Sequence, residues 1–289
     1  MADFQKKLLD IRDLTVQFDT DSGVVHAVNH LNMQLEEGKA LGFVGETGAG
    51  KTTTCVNLAS EFGAMRKKVL VVDADPQGNA SSGLGFQFDD SVSLYDLVVG
   101  NEEPKWALHS TSAKNVSLIA SNINLVGADL EMGGLKGREF RLREALRKLE
   151  NDFDVVLVDC PPSLGLLTVN ALAAANRLLV PVQCEYYSMQ GLSLLARTVQ
   201  MVREQGINQG AQIDAILLTM YNPNLRLTRE IETQIRDVFG EHVLKTVIPR
   251  NIDLAAAPAQ GLAIRDYVRS SRGGQAYHDL ALEVKRLWL

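Results

Sequence analysis

Residues Gly45–Thr52 read Gly-Glu-Thr-Gly-Ala-Gly-Lys-Thr and fit the phosphate-binding pattern G-x-x-x-x-G-K-[ST] at every fixed position. The apolar strand-like run Leu41–Val44 precedes the pattern, and the helix-like segment Thr52–Met65 follows it. Glycines let backbone N–H groups surround phosphate oxygens, and the start of a helix adds a partial positive charge. The strand, loop and helix occur in the required order, which argues against a chance glycine-rich turn.

This pattern gives each residue a candidate role. The Lys51 ammonium is expected to reach the β- and γ-phosphates, and the Thr52 hydroxyl to ligate Mg²⁺. The backbone of the loop is expected to cradle the remaining phosphate oxygens. The candidate nucleotide-binding residues are therefore Gly45, Gly48, Ala49, Gly50, Lys51 and Thr52.

After this loop, strand-like and helix-like segments alternate along the chain. The alternation is typical of an α/β fold with a doubly wound, mainly parallel sheet and helices on both faces. The expected strands after Leu41–Val44 are Lys68–Val72, Asn115–Ile119, Val155–Val158, Leu178–Val182, Ala215–Met220 and Leu244–Ile248. The expected helices after Thr52–Met65 are Glu139–Leu149, Met189–Gln205, Arg229–Phe239 and Gly274–Leu287.

Residues 1–38 do not follow this alternation. Leu8–Phe18 and Val24–Leu35 look like two strands joined by the polar turn Asp19–Gly23, which predicts a β-hairpin ahead of the first core strand. The polar run Glu36-Glu37-Gly38 marks the boundary. We therefore predict a hairpin segment over residues 1–38 and a nucleotide-binding domain over residues 39–289.

Two further strand ends carry carboxylates. Asp159 closes the apolar strand Val155–Val158, which is where a carboxylate that holds the Mg²⁺ shell is expected after a phosphate-binding loop. Asp73 and Asp75 close the strand Lys68–Val72, at the ligand-facing edge of a parallel sheet. Asp75 is a candidate to orient or deprotonate an attacking water. An Asp-Pro turn with a capping role explains the same spacing equally well.

The composition bears on the setting in which the chain works. Its 289 residues carry a net charge of −6, which gives no overall attraction to nucleic acid or membrane. From residue 196 onward, 12 Lys and Arg accompany 10 Asp and Glu, so a local basic face is possible there, although a solvated mixed surface is the simpler explanation. Three scattered cysteines, with no signal peptide and no long apolar span, predict a cytoplasmic protein without a membrane.

Several stretches from about residue 52 onward resemble the ParA/Soj chromosome- and plasmid-partition ATPases of the MinD-like P-loop class. The matching stretches are Lys51–Ala59, Asp73–Ala80, Val158–Leu167, Pro181–Tyr187 and Lys245–Asn251. The resemblance implies an ATPase that uses ATP and Mg²⁺. It also implies an ATP-dependent homodimer that binds DNA without sequence preference on the nucleoid, and a ParB-type partner protein that stimulates hydrolysis.

The same resemblance implies residue roles. Lys51 would bind phosphate, Thr52 and Asp159 would hold Mg²⁺, Thr53 would bind the α-phosphate, and Asp75 would align the water. The residues expected near adenine are Met220, Tyr221, Pro249, Arg250 and Asn251. The arginines proposed to contact DNA are Arg197, Arg226, Arg229, Arg269 and Arg272.

The first fifty residues resemble a different family. The stretches Leu9–Phe18, Val25–Val28 and Gly42–Lys51 are similar to the opening of a dipeptide/oligopeptide ABC transporter ATPase. In that family an aromatic at the Phe18 position stacks on adenine. The two resemblances meet around Gly50–Thr54, so the chain is interpreted as a chimera of two P-loop families with an ABC-like segment over residues 1–38.

An ABC transporter subunit for peptide import is therefore the alternative function. Two features argue against it, because Cys160 rather than Glu follows Asp159 and no Leu-Ser-Gly-Gly-Gln sequence precedes it. Residues Ser271–Gln275 look similar to that signature but lie after Asp159, and we interpret Ser271 and Arg272 as the start of a helix. That helix is expected to be amphipathic through Tyr277, Leu280, Leu282 and Leu287.

Glu46 departs from the partition family. Partition ATPases carry Lys-Gly-Gly-x-Gly-Lys-Thr, and their first lysine crosses the dimer to the partner's nucleotide. Here Glu46 and Thr47 stand at the first two of those positions. A third hypothesis follows, in which the chain folds and binds nucleotide but does not cycle.

Overall fold

The computed structural model describes residues 10–20, 23–34 and 39–289. The chain divides into two compact units. The first contains a pair of antiparallel strands, β1 (Asp10–Thr20) and β2 (Gly23–Gln34), in a two-stranded sheet of their own. The predicted N-terminal hairpin is confirmed, with strands that run to Thr20 and resume at Gly23. Residues 1–9 and 35–38, which include the predicted boundary, lie outside the described residues, so the division at residue 38 stays a prediction.

Within residues 39–289, eight strands form one sheet in the order β10-β9-β8-β3-β7-β4-β6-β5. All neighbouring pairs are parallel except β5 with β6. The strands are β3 (Lys39–Phe43), β4 (Val69–Asp73), β5 (Leu108–Ser110), β6 (Val116–Ile119), β7 (Val155–Asp159), β8 (Arg177–Gln183), β9 (Ala215–Tyr221) and β10 (Val243–Pro249).

The connections between these strands are mainly helical. The α-helices are α1 (Lys51–Ala64), α2 (Asn79–Gly83), α3 (Leu125–Met132), α4 (Arg141–Arg147), α5 (Leu166–Ala174), α6 (Ser188–Glu204), α7 (Arg226–Phe239), α8 (Ile252–Ala256), α9 (Ile264–Val268) and α10 (Arg272–Trp288). Short 3₁₀ or π turns cover Asp96–Gly100, Pro104–Ala107, Arg138–Phe140, Gly240–His242 and Ala257–Gln260. This is the doubly wound P-loop architecture that the sequence predicts.

The central strands are buried along their whole length. Every residue of β4 and β7 is buried, as expected for apolar strands in a parallel sheet with helices on both faces. β3 lies between β7 and β8, so the strand that leads into the glycine-rich loop is an interior strand. α1 packs four predicted inner residues with no more than 4 % exposure, namely Val56, Leu58, Ala59 and Phe62.

Some elements differ from the sequence-based predictions. The strand β5 and the helices α2, α3, α5, α8 and α9 were not predicted. α5 is mainly apolar, and its two polar residues, Thr168 and Asn170, are buried as well. It therefore lacks the exposed polar face by which an amphipathic helix is recognised. The predicted helix Glu139–Leu149 is a 3₁₀ turn followed by α4. On α10, Tyr277 and Leu280 are buried as expected. Leu282 is exposed because it falls on the opposite side of the helix, and Leu287 is exposed in the last turn.

None of the helices in the described part of the chain is long and apolar enough to cross a membrane.

Replacing Leu157 by Ala tests the packing of the central sheet. Leu157 lies in β7 with 0 % exposure, and the substitution is expected to lower the free energy of unfolding by about 2–5 kcal/mol through lost burial and a residual cavity. Leu130→Ala is the matched control, because Leu130 is 87 % exposed and its loss is expected to cost less than about 0.5 kcal/mol. Urea unfolding followed by circular dichroism measures both values. Similar losses in the two variants would contradict this account of the core.

Candidate nucleotide-binding site

The glycine-rich loop leaves the carboxyl end of β3, which has β7 on one side and β8 on the other. The chain moves to opposite sides of β3 in its two halves, and ligands bind at such a reversal point in open α/β sheets. Gly48 and Gly50 have φ values of 79° and 86°. Residues with a Cβ rarely adopt this left-handed conformation, which lets the loop turn directly into α1. The amino end of α1 supplies backbone N–H donors to the same place.

Lys51 is folded onto the loop that precedes it. Its side chain is buried, and its Nζ donates to the carbonyl oxygens of Gly45, at 2.8 Å, and Glu46, at 2.9 Å. Burial lowers the pKa of the Lys51 ammonium, while nearby negative groups, first of all Asp159, oppose that shift. The cation is therefore held at the centre of the loop, where a phosphate can exchange for the carbonyl oxygens.

The side chains of Thr52, in the first turn of α1, and Asp159, at the end of β7, are in direct contact. The Thr52 hydroxyl donates to Asp159 Oδ2 at 2.6 Å. The other oxygen, Oδ1, is buried and has no hydrogen-bond partner among the described residues. Burial, together with the negative charge of Asp73, raises the pKa of Asp159 well above its usual value.

A hydroxyl beside an orphaned carboxylate oxygen fits Mg²⁺. This ion prefers oxygen ligands and is commonly held by one or two carboxylates together with waters and substrate phosphates. Within the described residues no group of three or more His, Cys, Asp or Glu side chains forms a metal cage. The geometry thus suits a shared Mg²⁺–phosphate site and not an all-protein cage.

Asp73 ends β4 beside Asp159, its register partner on β7. It is fully buried, and its carboxylate accepts from Ser81 N and Ser81 Oγ, both at 2.8 Å, and from Asp75 N at 3.2 Å. Burial raises the pKa of Asp73 to about 6 against the opposing effect of these hydrogen bonds. Asp73 therefore organises the loop that carries Asp75.

Asp75 is half-buried at this edge of the sheet. Its Oδ1 accepts from Gln77 N at 2.9 Å, which is the capped turn that the sequence also allowed. Its carbonyl oxygen accepts from Ser121 Oγ at 2.6 Å. Asp75 also lies near enough to Lys51 to affect the pKa of that ammonium. Asp75 can therefore cap this turn and also lie beside bound phosphates.

The structure brings Met220 and Arg250 to the loop. Gln183 Nε2 donates to the Gly48 carbonyl and contacts Met220 Sδ at 3.3 Å. Arg250 lies 3.9 Å from the same sulfur. Met220 has a φ of 47°, an uncommon conformation for a residue with a side chain.

Other predicted base-contacting residues point elsewhere. The Tyr221 hydroxyl donates to Glu232 on α7, because neighbouring residues of a strand project to opposite faces. Tyr221 and Pro249 line a separate open groove of about 880 Å³ together with residues of α10. The Asn251 side chain accepts from Leu254 N at 3.2 Å and caps α8. Thr53 lies on the first turn of α1, half-buried.

Three polar side chains support the site without having been identified as site residues in the sequence. Thr219 Oγ1 donates to the Ala49 carbonyl at 2.8 Å and so anchors the loop to β9. Gln183 joins the loop to Met220, and Ser121 joins the Asp75 loop to the segment before α3. Their only sequence signal is their place just inside or after the carboxyl ends of parallel strands.

Glu46 is exposed, and its carboxylate lies over Gly191 in the first turn of α6. A Cβ at position 191 would overlap that carboxylate. A negative group beside the amino end of a helix is favoured by the helix dipole. The Glu46 side chain is thus directed to α6.

Comparison with known proteins decides the family. A family model described as an AAA domain matches residues 45–214. The chain is 42 % identical over 248 residues to the chromosome-partitioning ATPase Soj of Treponema pallidum. The aligned region covers 86 % of this chain and 97 % of that protein. The chain belongs to the ParA/Soj family of P-loop ATPases. It is also 40 % identical over 240 residues to the chromosome partitioning protein ParA of Myxococcus xanthus, covering 83 % and 84 % of the two chains.

A solved structure agrees with this membership. Cobyrinic acid a,c-diamide synthase from Mycobacterium smegmatis, with bound ADP and magnesium, superposes with a TM-score of 0.75 at 34 % identity, covering 86 % of this chain and 95 % of that one. The ParA/Soj resemblance stated from the sequence is confirmed. The family model begins at residue 45, and the ABC-like resemblance of about the first fifty residues stays a prediction. Phe18 lies on β1, and its side chain lies outside the described features.

The raised pKa of Asp73 predicts a dependence of stability on pH. The folded state holds the Asp73 proton up to pH of about 6, whereas the unfolded state releases it near 4. Folding stability is therefore highest at acid pH as far as this group is concerned, and it falls as pH rises through about 6. Asp73→Asn removes the titration, so the unfolding free energy of the parent should fall relative to the variant by about 1 kcal/mol between pH 5 and 7.5.

Urea unfolding of both proteins across this pH range measures the difference. The variant also loses hydrogen bonds and the Asp73 charge, which adds to burial in raising the pKa of Asp159. The same comparison is therefore made in an Asp159→Asn background, which removes the titration of Asp159. Parallel profiles for parent and variant would contradict the assignment of a proton to Asp73.

Proposed function

We propose that this chain is an Mg²⁺-dependent ATPase of the ParA type that acts as a nucleotide switch in DNA partition. The observation that carries the proposal is the convergence of Lys51, Thr52 and Asp159 at the end of β3 and β7. Lys51 lies at the centre of the loop, and the Thr52–Asp159 pair keeps one carboxylate oxygen available. The relatives named for chromosome partitioning support the biological role.

We propose the roles of the site residues from the phosphate-binding pattern and the family resemblance. Lys51 neutralises the β- and γ-phosphates, and backbone N–H groups of Gly45–Thr52 surround them. Thr52 and Asp159 hold Mg²⁺, which neutralises charge on the transferred phosphoryl group. Thr53 contacts the α-phosphate from the first turn of α1. Met220 contacts Gln183, which binds the loop, and Arg250 lies beside Met220, so we propose these two as adenine contacts. Tyr221, Pro249 and Asn251 stay adenine candidates from family resemblance alone, and Tyr221 and Pro249 line the separate groove.

Asp75 orients the attacking water in this proposal. One of its carboxylate oxygens is occupied by the Gln77 N–H, and its backbone is fixed by Ser121 and Asp73. A carboxylate fixed in this way loses little freedom when it accepts a hydrogen bond from water, which favours the oriented state that hydrolysis needs.

Two substitutions separate binding from hydrolysis. Lys51→Ala should abolish ATP binding and leave the fold intact, because the ammonium interacts with ligand charge. Asp75→Ala should keep ATP binding and lose hydrolysis by roughly 100-fold or more, as for a group used in the transition state. Nucleotide titration, steady-state turnover and thermal melting measure the three quantities. Unchanged affinity in a folded Lys51→Ala protein, or retained turnover in Asp75→Ala, would remove the corresponding assignment.

The partners are part of the same proposal. We propose an ATP-dependent homodimer, DNA binding without sequence preference at the nucleoid, and a ParB-type protein that stimulates hydrolysis. Size-exclusion chromatography with ATP and with ADP, in the presence and absence of DNA, tests the switch directly. The expected result is a dimer peak and co-elution with DNA in ATP only. A monomer that ignores DNA in both nucleotides would contradict it.

Exposed arginines of the last third are the proposed DNA contacts. Arg197, Arg226, Arg229, Arg269 and Arg272 are all exposed, although Arg226 also pairs with Glu230 and Arg229 donates to the Pro223 carbonyl. Phosphate contacts by arginine predict weak binding that falls steeply with salt.

Filter binding with ATP at low and high salt measures this effect. Arg226→Ala with Arg229→Ala should weaken binding to all DNA sequences alike and reduce the salt slope by about one unit per lost contact. Arg147→Ala is the control, since Arg147 is exposed on α4 in a part of the chain without a predicted DNA role. Absence of binding at low salt would count against the DNA-binding proposal.

A second candidate function is a nucleotide-binding module that does not cycle. The observation in its favour is Glu46, an anion in the position where partition ATPases carry a lysine that crosses the dimer. Its carboxylate rests on α6, and the loop uses only its carbonyl oxygen to hold Lys51. The hydrogen bond that holds Lys51 within one subunit therefore does not use this carboxylate, whereas closure of two subunits lacks the attractive lysine.

The double change Glu46→Lys with Thr47→Gly restores the partition-type loop. It should raise ATP-dependent dimerisation and DNA binding together by about tenfold, which corresponds to about 1.4 kcal/mol. Thr47→Gly alone is the control and should gain little, because it leaves the anion in place. A parent that already dimerises tightly with ATP, or a double variant that gains nothing, would show that the missing lysine is unimportant.

The ABC-transporter alternative has less support. It rests on the resemblance of the first fifty residues, and the chimera around Gly50–Thr54 stays a proposal of ours. Co-purification of the chain with membranes would favour it, and purification from the soluble fraction with ATPase activity would count against it.

A further inference from the structure

The loop Cys160–Gly165 connects Asp159 to the amino end of α5. In the proposed function Asp159 holds Mg²⁺, so this loop is the chain segment most directly able to shift that carboxylate. Pro162, Ser163 and Leu164 are exposed. Packing against the core therefore does not fix these three residues. The loop is held at the Ser163 carbonyl, which accepts from Thr168 Oγ1 at 2.6 Å, and at its two ends.

The far end of the loop is held by a residue from another helix. Gly165 is the N-cap of α5 and has no side chain to cap it. Asp129 on α3 supplies the acceptors instead. Its Oδ2 accepts from Leu166 N and its Oδ1 from Leu167 N, both at 3.1 Å. A carboxylate in this position is favoured by the hydrogen bonds and by the helix dipole.

The glycine at position 165 is explained by the same contact. Its φ is −83°, a conformation that any residue adopts, so the backbone does not require glycine here. A Cβ at this position would overlap the Asp129 carboxylate. The space at residue 165 is therefore used by the carboxylate of α3, and the same contact accounts for the absence of a side chain there.

The segment before α3 also contacts the Asp75 loop. Ser121 Oγ donates to the Asp75 carbonyl at 2.6 Å, and Ser121 N donates to Ser81 Oγ at 3.2 Å. Residues 121–129 thus contact one loop that carries Asp75 and another that begins at Asp159. A single short segment sets the position of both loops at the carboxyl edge of the sheet.

We propose that Asp129 is a positioning residue for ATP hydrolysis. By capping α5, its carboxylate fixes the loop Cys160–Gly165 and with it the orientation of Asp159 toward Mg²⁺. Asp129 itself touches neither nucleotide nor metal in this account. The inference rests on the proposed role of Asp159.

Asp129→Asn tests the inference with a minimal change in shape. The amide has one acceptor oxygen and directs an N–H group at one of the two backbone donors, so the bidentate cap is lost. We expect kcat to fall and the half-saturating Mg²⁺ concentration to rise, each by roughly 3- to 10-fold. The affinity for ATP without Mg²⁺ should stay within about twofold of the parent, because Lys51 and the loop backbone are unchanged.

Two further variants separate positioning from general stability. Asp129→Glu keeps two acceptor oxygens and should restore most of the lost kcat. Asp154→Asn is the matched control, since Asp154 Oδ2 also accepts a backbone N–H, that of Lys68 at 2.7 Å, but at the amino edge of the sheet. This control should leave kcat and the Mg²⁺ dependence unchanged.

Gly165→Ala approaches the same contact from the other side. The added methyl group displaces the Asp129 carboxylate, so this variant should reproduce the rise in half-saturating Mg²⁺. Combined with Asp129→Asn it should add little, because both changes remove one interaction. Faster hydrogen exchange at the Leu166 and Leu167 amides, measured without nucleotide, should accompany both variants.

The outcomes are distinguishable. Equal kcat and equal Mg²⁺ dependence in Asp129→Asn and the parent would overturn the inference, and so would an equal loss in Asp154→Asn. Absence of turnover in the parent would instead overturn the proposed function. Mg²⁺-dependent nucleotide binding by the same variants would then still show whether Asp129 acts on Asp159.

Discussion

Asp73 and Asp159 end adjacent parallel strands in register, and neither has any solvent exposure. Two carboxylates in a buried setting are costly unless donors or cations compensate them. Ser81 and the Asp75 N–H serve Asp73, while Thr52 and the charge of Lys51 serve Asp159. One oxygen of Asp159 is still left without a partner among the described residues. The fold thus keeps an uncompensated acceptor at the carboxyl edge of the sheet, in the position that the proposed Mg²⁺ site requires.

The order of the strands makes this arrangement possible. β3 lies between β7 and β8, so the loop that carries Lys51 emerges beside the carboxylate of β7 and beside the end of β8. Hydrogen bonds from Gln183 on β8 and Thr219 on β9 then hold the loop backbone. Most of these supports act on main-chain atoms of the loop. They therefore fix its shape whatever side chains it carries, which is what a loop that binds phosphate through N–H groups requires.

The sequence was most informative where a feature is local. A few consecutive residues are enough to identify the glycine-rich loop, the buried strands and the carboxylates at their ends. The structure shows these elements in the expected order. Hydrogen bonds between residues that are distant in the sequence were not predictable. Examples are the bond from Thr219 to the Ala49 carbonyl and the bond from Leu166 N to Asp129. Contiguous motifs also grouped Met220 with Tyr221, although alternation along a strand sends their side chains to different neighbours.

Glu46 stands where partition ATPases carry a lysine, and its backbone and its side chain make different contacts. Within one subunit the loop uses the Glu46 carbonyl, which accepts from Lys51 Nζ and from Ala49 N. Both contacts are indifferent to the side chain. The carboxylate lies outward on Gly191 at the start of α6, where the helix dipole stabilises it. A change at this position therefore leaves both backbone contacts in place. Within one chain the Glu46 charge still acts on Lys51, because it opposes the lowering of the Lys51 pKa by burial. Its other effect is on what approaches this face from another molecule.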